Sequence, residues 1–204
     1  MLLRPYNVHM PENYYNDLMN QNNAPHRRSV WLNNYDYSQP GAYFVTLCTS
    51  HRRQIFGEIH DGLMRLNAVG RLAAAQWLQL PKRFSDLELG EWVIMSNHIH
   101  GILVITGRGE ASQQDRCGLP TMPIEDASPL RPNGTMPGSI GAIIQNYKSV
   151  VSRKIANQDE ETRGSIWQRN YYEHIIRNER ELQAITDYIL TNPQNWDKDT
   201  ENHI

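Results

Sequence analysis

The chain has 204 residues and a mass of 23.6 kDa, which suits one domain, or one domain with tails. Hydrophobic residues make up 39% and charged residues 21%, with a mean hydropathy of −0.63, so a core can form while part of the chain stays loose. No stretch approaches the roughly 20 apolar residues of a membrane-spanning helix, which excludes an integral membrane protein of that kind. The first residues, Met1-Leu2-Leu3-Arg4-Pro5-Tyr6-Asn7, hold no apolar run, so no secretory signal is expected. Two cysteines, Cys48 and Cys117, make neither a disulfide framework nor a four-cysteine zinc site, and a reducing cytoplasm is the expected home. The formal net charge of −2 does not by itself point to nucleic acid. The charge is uneven, however: residues 181–204 hold five acids and one base, leaving a near-neutral body with local basic clusters.

Residues 1–40 read as an N-terminal arm. They are Asn-rich, weakly periodic, and carry a small basic knot at His26-Arg27-Arg28. After Pro40-Gly41, residues 42–49 are rich in β-formers and predict a strand. Residues 52–65 predict a turn and a short strand or hairpin. Residues 66–84 show helical spacing through Val69, Leu72, Ala73, Trp77 and Leu80, with Asn67 as N-cap and Pro81 as stop. Two strand-like runs, 87–95 and 98–105, are separated only by Ser96-Asn97 and predict an antiparallel hairpin. Residues 107–137 have no period and predict a long loop that is functional or disordered. A helix follows over 139–157, a strand over 166–176, and a last helix over 179–191, stopped by Pro193. Residues 197–204 read as an acidic tail. Strand, helix, strand, strand, helix, strand, helix is the split βαβ, ferredoxin-like α+β pattern with one added C-terminal helix. Such a fold hosts many functions.

His98-Ile99-His100 opens a strand. Residues two apart on a strand share a face, so two imidazoles lie side by side while Ile99 points to the core. That geometry can hold a divalent metal through two nitrogens. The same spacing also occurs in surface or hydrogen-bonded histidines. No third histidine has ligand spacing, and there is no H-E-x-x-H. Two imidazoles, an oxygen ligand and open positions suit Mg²⁺ or Mn²⁺ better than a structural zinc. Tyr188 and Asn192 are four apart on the last helix and so share a face. The plainer reading makes Tyr188 a half-buried packing residue and Asn192 a helix end before Pro193. Between Tyr147 and Arg180, cations and rings interleave, a pattern that suits single-stranded nucleic acid, although a solvated helix face with sheet aromatics looks the same. From this region Lys148, Arg153, Lys154, Trp167, Arg169 and Tyr172, with Arg27 and Arg28 of the arm, are the candidate DNA contacts.

Four ordered stretches carry a family resemblance: residues 35–49, Val93-Ile94-Met95-Ser96-Asn97-His98-Ile99-His100-Gly101, residues 166–177, and Tyr188 through Asn192-Pro193 with Asn195-Trp196. Through them the chain resembles the HUH-superfamily single-tyrosine transposases, specifically the REP-associated tyrosine transposase group. The resemblance covers residues 35–196, and residues 41–196 would form the transposase domain. It implies His98, His100 and Asn192 as metal ligands and Tyr188 as the nucleophile. It further implies cleavage of single-stranded hairpin DNA through a 5′-phosphotyrosine with a free 3′-OH, by a monomer or a homodimer. Ser96 departs from the proline common in the family, which alters a turn outside the ligand set. Tyr171 and Tyr172 are adjacent on a strand and face opposite ways, and Tyr147 has Val151 one turn on, so Tyr188 is the best-placed tyrosine. A non-catalytic hairpin-binding module of the same fold is the first alternative. A small-substrate metal hydrolase is the second, and the further His or Asp ligands it needs after later strands are not found.

Overall fold

In a computed structural model of the protein, the described residues are 36–107, 136–157, 165–199 and 202. Arg27, Arg28, most of the arm and most of the 107–137 loop lie outside them. The first strand, β1 (Gly41–Cys48), is the core of a four-stranded sheet, with side chains buried on both faces. A 3-10 turn, Ser50–Arg52, leads to a small hairpin of β2 (Gly57–His60) and β3 (Leu63–Leu66). Asp61 and Gly62 join these two strands with φ of 52° and 71°, the pair of positive angles a two-residue hairpin turn needs.

Helix α1 (Ala68–Leu78) starts at Asn67, whose side chain accepts from the Gly70 amide. The helical spacing over 66–84 divides near the stop expected at Pro81. Pro81 has no N–H to continue α1 and instead sits in the first turn of a short helix, α2 (Leu80–Arg83). Strands β4 (Leu87–Ile94) and β5 (His98–Ile105) form the expected hairpin, closed by Met95 N–H donating to the His98 carbonyl at 2.8 Å. A bulge between Leu89 and Trp92 interrupts β4. Helix α3 (Ile140–Ala156) is capped by Ser139. Strand β6 (Tyr172–Ile176) is shorter than the run over 166–176. The pairing is interrupted between Gln168 and Tyr172: Lys148 Nζ donates to the carbonyls of Gln168 and Asn170 at 2.9 and 3.0 Å, and Trp167 Nε1 donates to the Lys148 carbonyl at 3.2 Å. Before that interruption Trp167 bridges to Thr49, with the Ser50 amide donating to the Ile166 carbonyl at 2.7 Å and the Gln168 amide to the Cys48 carbonyl at 2.9 Å. Helix α4 (Glu179–Thr191) ends the domain and runs into a 3-10 segment, Asn192–Lys198.

The strand order is β4-β5-β1-β6 with antiparallel neighbours, the split βαβ arrangement expected. Alternation divides the sheet into two faces. One face sends Tyr43, Val45, Leu47, Ile99 and Leu103 into the main core against Trp77 of α1 and Ile143, Ile144 and Tyr147 of α3. Tyr147 is buried there and donates to the Ala73 carbonyl at 3.0 Å, a tie between the two helices. The other face sends Phe44 and Ile102 against Ile185 and Ile189 of α4. Tyr171 packs on the first face and Tyr172 on the second, as alternation requires. Among the described residues no helix is long and apolar enough to cross a membrane.

Two features of this packing have measurable consequences. A Cβ at Gly101 would lie 2.4 Å from the Trp77 ring, and neither the strand nor the buried indole can yield cheaply. Gly101→Ala is expected to cost about 1–3 kcal/mol through overpacking, read as a lowered Tm in thermal melts. Glu173 faces the main core beside Val45, and burial pushes its carboxyl up to about 7, against the opposing pull of the Tyr171 and Tyr37 hydroxyls. The unfolded group titrates at 4.5. Between these values the folded state holds a proton the unfolded chain has released, so stability falls as pH rises through that window. Glu173→Gln removes the loss. The variant should be more stable than wild type above pH 7 by about 2–3 kcal/mol, with the difference closing toward pH 4.5 in denaturant titrations.

Candidate functional site

β5 pairs with β1 so that His98 lies opposite Cys48 and His100 opposite Thr46. Both histidines are fully buried on the α4 face, and Ile99 between them is fully buried on the other. Each ring is oriented through Nδ1. His98 Nδ1 donates to Asn97 Oδ1 at 2.8 Å, because that amide oxygen can only accept. His100 Nδ1 lies 2.9 Å from Thr46 Oγ1. When Thr46 accepts there, both Nε2 atoms carry lone pairs turned toward α4, the arrangement typical of metal-ligating histidines. Burial, with the charges of His100 and Arg52, holds the His98 pKa well below its ordinary 6.5, so this imidazole is neutral.

Helix α4 brings Tyr188 to these rings. Its hydroxyl lies 3.1 Å from His100 Nε2, and its ring meets Phe44 edge-on at 6.3 Å. The helix is seated by an interlocked cap. Asn178 Oδ1 accepts from the Glu181 amide, while the Glu181 carboxylate reaches back to the Arg177 amide at 2.7 Å and His174 Nε2 at 2.6 Å. One turn after Tyr188, Asn192 keeps helical backbone angles and is 2% exposed. Pro193 then tightens the chain into the 3-10 segment, which lays Trp196 over the His98 ring at 5.9 Å and returns Asp199 to the site. Asp199 Oδ2 accepts from Asn192 Nδ2 at 2.7 Å and stands 3.8 Å from His98 Nε2. Ligand atoms of His98, His100 and Asp199 lie within 4.8 Å of one another, compatible with a divalent metal. His98 Nε2 and Asn192 Oδ1 are buried with no hydrogen-bond partner, two acceptors aimed where a cation would satisfy them.

His98, His100, Tyr188 and Asn192, named from the sequence, are therefore brought together. Tyr172 lies on the same face, half-buried, with its ring 6.2 Å from Phe44. Arg153 and Lys154 are exposed in the last turn of α3, on the opposite side of the sheet. Arg169 is exposed, whereas Trp167 is buried. Lys148 holds backbone carbonyls and lies 5.7 Å from the Tyr171 ring centre, and burial lowers its ammonium to about 8. Arg27 and Arg28 lie outside the described residues. Sequence reasoning missed Thr46, Asn97 and Asp199. Asn97 was legible as an amide directly before a paired histidine, and Thr46 as a polar residue on an otherwise apolar strand. Asp199 was counted only as tail charge, because it lies seven positions beyond Asn192 across a tight turn.

No family model matches the chain. A protein of Haemophilus influenzae, described only as uncharacterized, is 37% identical over 174 residues, covering 85% of this chain and 92% of the relative. The chain belongs to one family with that protein. Among solved structures, a REP-associated tyrosine transposase bound to a REP hairpin superposes with a TM-score of 0.51 at 17% identity, covering 85% of this chain and 74% of the other. The chain has the fold of that transposase.

Proposed function

We propose that the protein is a metal-dependent, single-stranded DNA endonuclease and strand transferase that acts on hairpin DNA, with Tyr188 as nucleophile. The observation that carries this reading is the meeting of the Tyr188 hydroxyl, 3.1 Å from His100 Nε2, with a buried cluster of His98, His100, Asn192 and Asp199. A packing tyrosine would not need its hydroxyl on an oriented imidazole of such a cluster. The fold of a transposase solved on a REP hairpin supports hairpin DNA as the substrate.

His98 and His100 through Nε2, Asp199 through its carboxylate and Asn192 through Oδ1 are the residues that would hold Mg²⁺ or Mn²⁺. Bound there, the ion supplies Lewis acidity that neutralises charge on a non-bridging phosphate oxygen. Thr46 and Asn97 hold the two rings in the tautomer that leaves Nε2 free to ligate. Phe44 and the α4 packing hold the phenol at the cluster. The Tyr188 oxygen bonds to phosphorus, the bond from phosphorus to the 3′ oxygen breaks, and the phosphate stays on the 5′ strand as a phosphotyrosine. The proton lost by the phenol matches the one gained by the departing 3′ oxygen. Bond energy is retained in the adduct, so rejoining needs no nucleotide triphosphate. Tyr188 meets the histidines of its own chain, which supports action by a single chain, whether or not it dimerises.

Incubation with labelled hairpin oligonucleotides from the flanks of its own gene should give a denaturation-resistant adduct with Mn²⁺, absent with EDTA and absent in Tyr188→Phe. An adduct surviving in Tyr188→Phe moves the nucleophile elsewhere, and tight hairpin binding with no adduct favours a non-catalytic module. Calorimetry with Mn²⁺ and no DNA should show at least about tenfold weaker binding in Asp199→Asn and in Thr46→Val, and a larger loss in His98→Ala. Unchanged Mn²⁺ affinity in all three overturns the metal assignment.

A further inference from the structure

Trp77, Trp92 and Trp167 all pack into the main core, each against another aromatic ring. Trp196 does not. Among the described residues it belongs to neither apolar cluster, and its ring meets only the His98 imidazole, at 5.9 Å and inclined by 29°. It is half-buried, so part of the indole stays open to solvent. A large apolar ring gains most by full burial, and the polar run Asn192-Pro193-Gln194-Asn195-Trp196-Asp197 gives it no apolar neighbour in sequence but a proline.

The backbone around this ring is nevertheless fixed from several sides. Asn195 Nδ2 donates to the Thr191 carbonyl at 3.1 Å. The Asp199 amide and Asn202 Nδ2 donate to the Trp196 carbonyl at 3.1 and 3.0 Å. The β2–β3 turn abuts the same segment, since a Cβ at Gly62 would lie 3.4 Å from Gln194 Cα. A ring kept partly in water on a fixed backbone is a preorganised contact surface. Little conformational freedom remains to be lost when a partner covers it.

The position of the ring indicates the partner. His98 lies against one side of it, and the cluster of His98, His100, Asn192 and Asp199 lies just beyond. Exposed Asp197, next in the chain, would repel a phosphate backbone and not track it. What the segment offers a nucleic acid is a neutral π-face, and unpaired bases stack on such faces. The base of a nucleotide lies one sugar from its phosphate, as the indole lies one imidazole from the cluster.

We propose that the open side of Trp196 stacks an unpaired base adjacent to the scissile phosphate. This rests on the hairpin-cleavage reading above and adds a base subsite to it. Every base has a π-face, so the subsite registers a position along the strand and tolerates any sequence, with purines favoured by their larger area.

Hairpin oligonucleotides with single-stranded extensions, taken from the flanks of the gene, test this with Mn²⁺ present. Binding is measured in full-length Tyr188→Phe protein, alone and combined with Trp196→Leu or Trp196→Phe. With 2-aminopurine placed at each unpaired position in turn, one position beside the cleavage point should be quenched on binding. Trp196→Leu should abolish that quenching and Trp196→Phe should keep most of it. An abasic site at the same position should weaken binding at least about tenfold when Trp196 is present, and hardly at all in Trp196→Leu. An abasic site that weakens both proteins equally overturns the proposal. So does unchanged quenching in a Trp196→Leu protein whose Mn²⁺ affinity and Tm have fallen, which marks an indole that only supports His98. Quenching and abasic coupling intact, with no covalent adduct in protein that retains Tyr188, sink the nuclease reading and leave the base subsite standing. An adduct without that coupling does the reverse.

Discussion

The pairing of Thr46 with His100 across β1 and β5 is the contact on which the rest of the site depends. It sets the register of the two central strands, and Thr46 Oγ1 meets His100 Nδ1 at 2.9 Å as a direct result. A slip of one residue would turn both histidines into the helix layer and Ile99 toward α4. Ile99 and Gly101 resist that slip from the other face. Ile99 is fully buried in the main core, and Gly101 leaves just enough room for the Trp77 indole to lie on the strand backbone. Core packing on one face and imidazole placement on the other are thus two consequences of a single register.

The second half of the site arrives from outside the sheet. Helix α4 covers the histidine face through Ile185 and Ile189 on Phe44 and Ile102, while its cap ties the helix start to β6 through Glu181, Arg177 and His174. With start and middle fixed, the Tyr188 hydroxyl has little choice of position. The chain then turns tightly at Pro193, so Asn192, Trp196 and Asp199 converge on one imidazole from a single short segment. Buried acceptors left without partners at His98 and Asn192 would be costly in a merely structural assembly. Their presence at one point is what separates this cluster from ordinary sheet packing.

Much of this was legible in the chain. The β-former run at 42–49, the strand-like run at 98–105, the two-residue Ser96-Asn97 connection and the Asn67 cap are local features, and local chemistry decides them. The stop expected at Pro81 is local too: α1 ends at Leu78, and only the short helix that Pro81 opens was not foreseen. One element came out differently because tertiary contacts overrode local pattern. The strand expected over 166–176 is interrupted between Gln168 and Tyr172, where the Lys148 ammonium of α3 takes the carbonyls of Gln168 and Asn170.

The sequence by itself determined the two-faced sheet, the side-by-side histidines and the shared face of Tyr188 and Asn192, since these follow from periods of 2 and 3.6 residues. It could not determine that α4 would pack on the histidine face rather than beside α1 and α3. An amphipathic helix specifies that it must be covered, not by which surface. Nor could it place Asp199. It is returned by a 3-10 turn, a geometry with no period to read. Those placements depend on contacts between segments far apart in the chain, and only the folded structure brings them together.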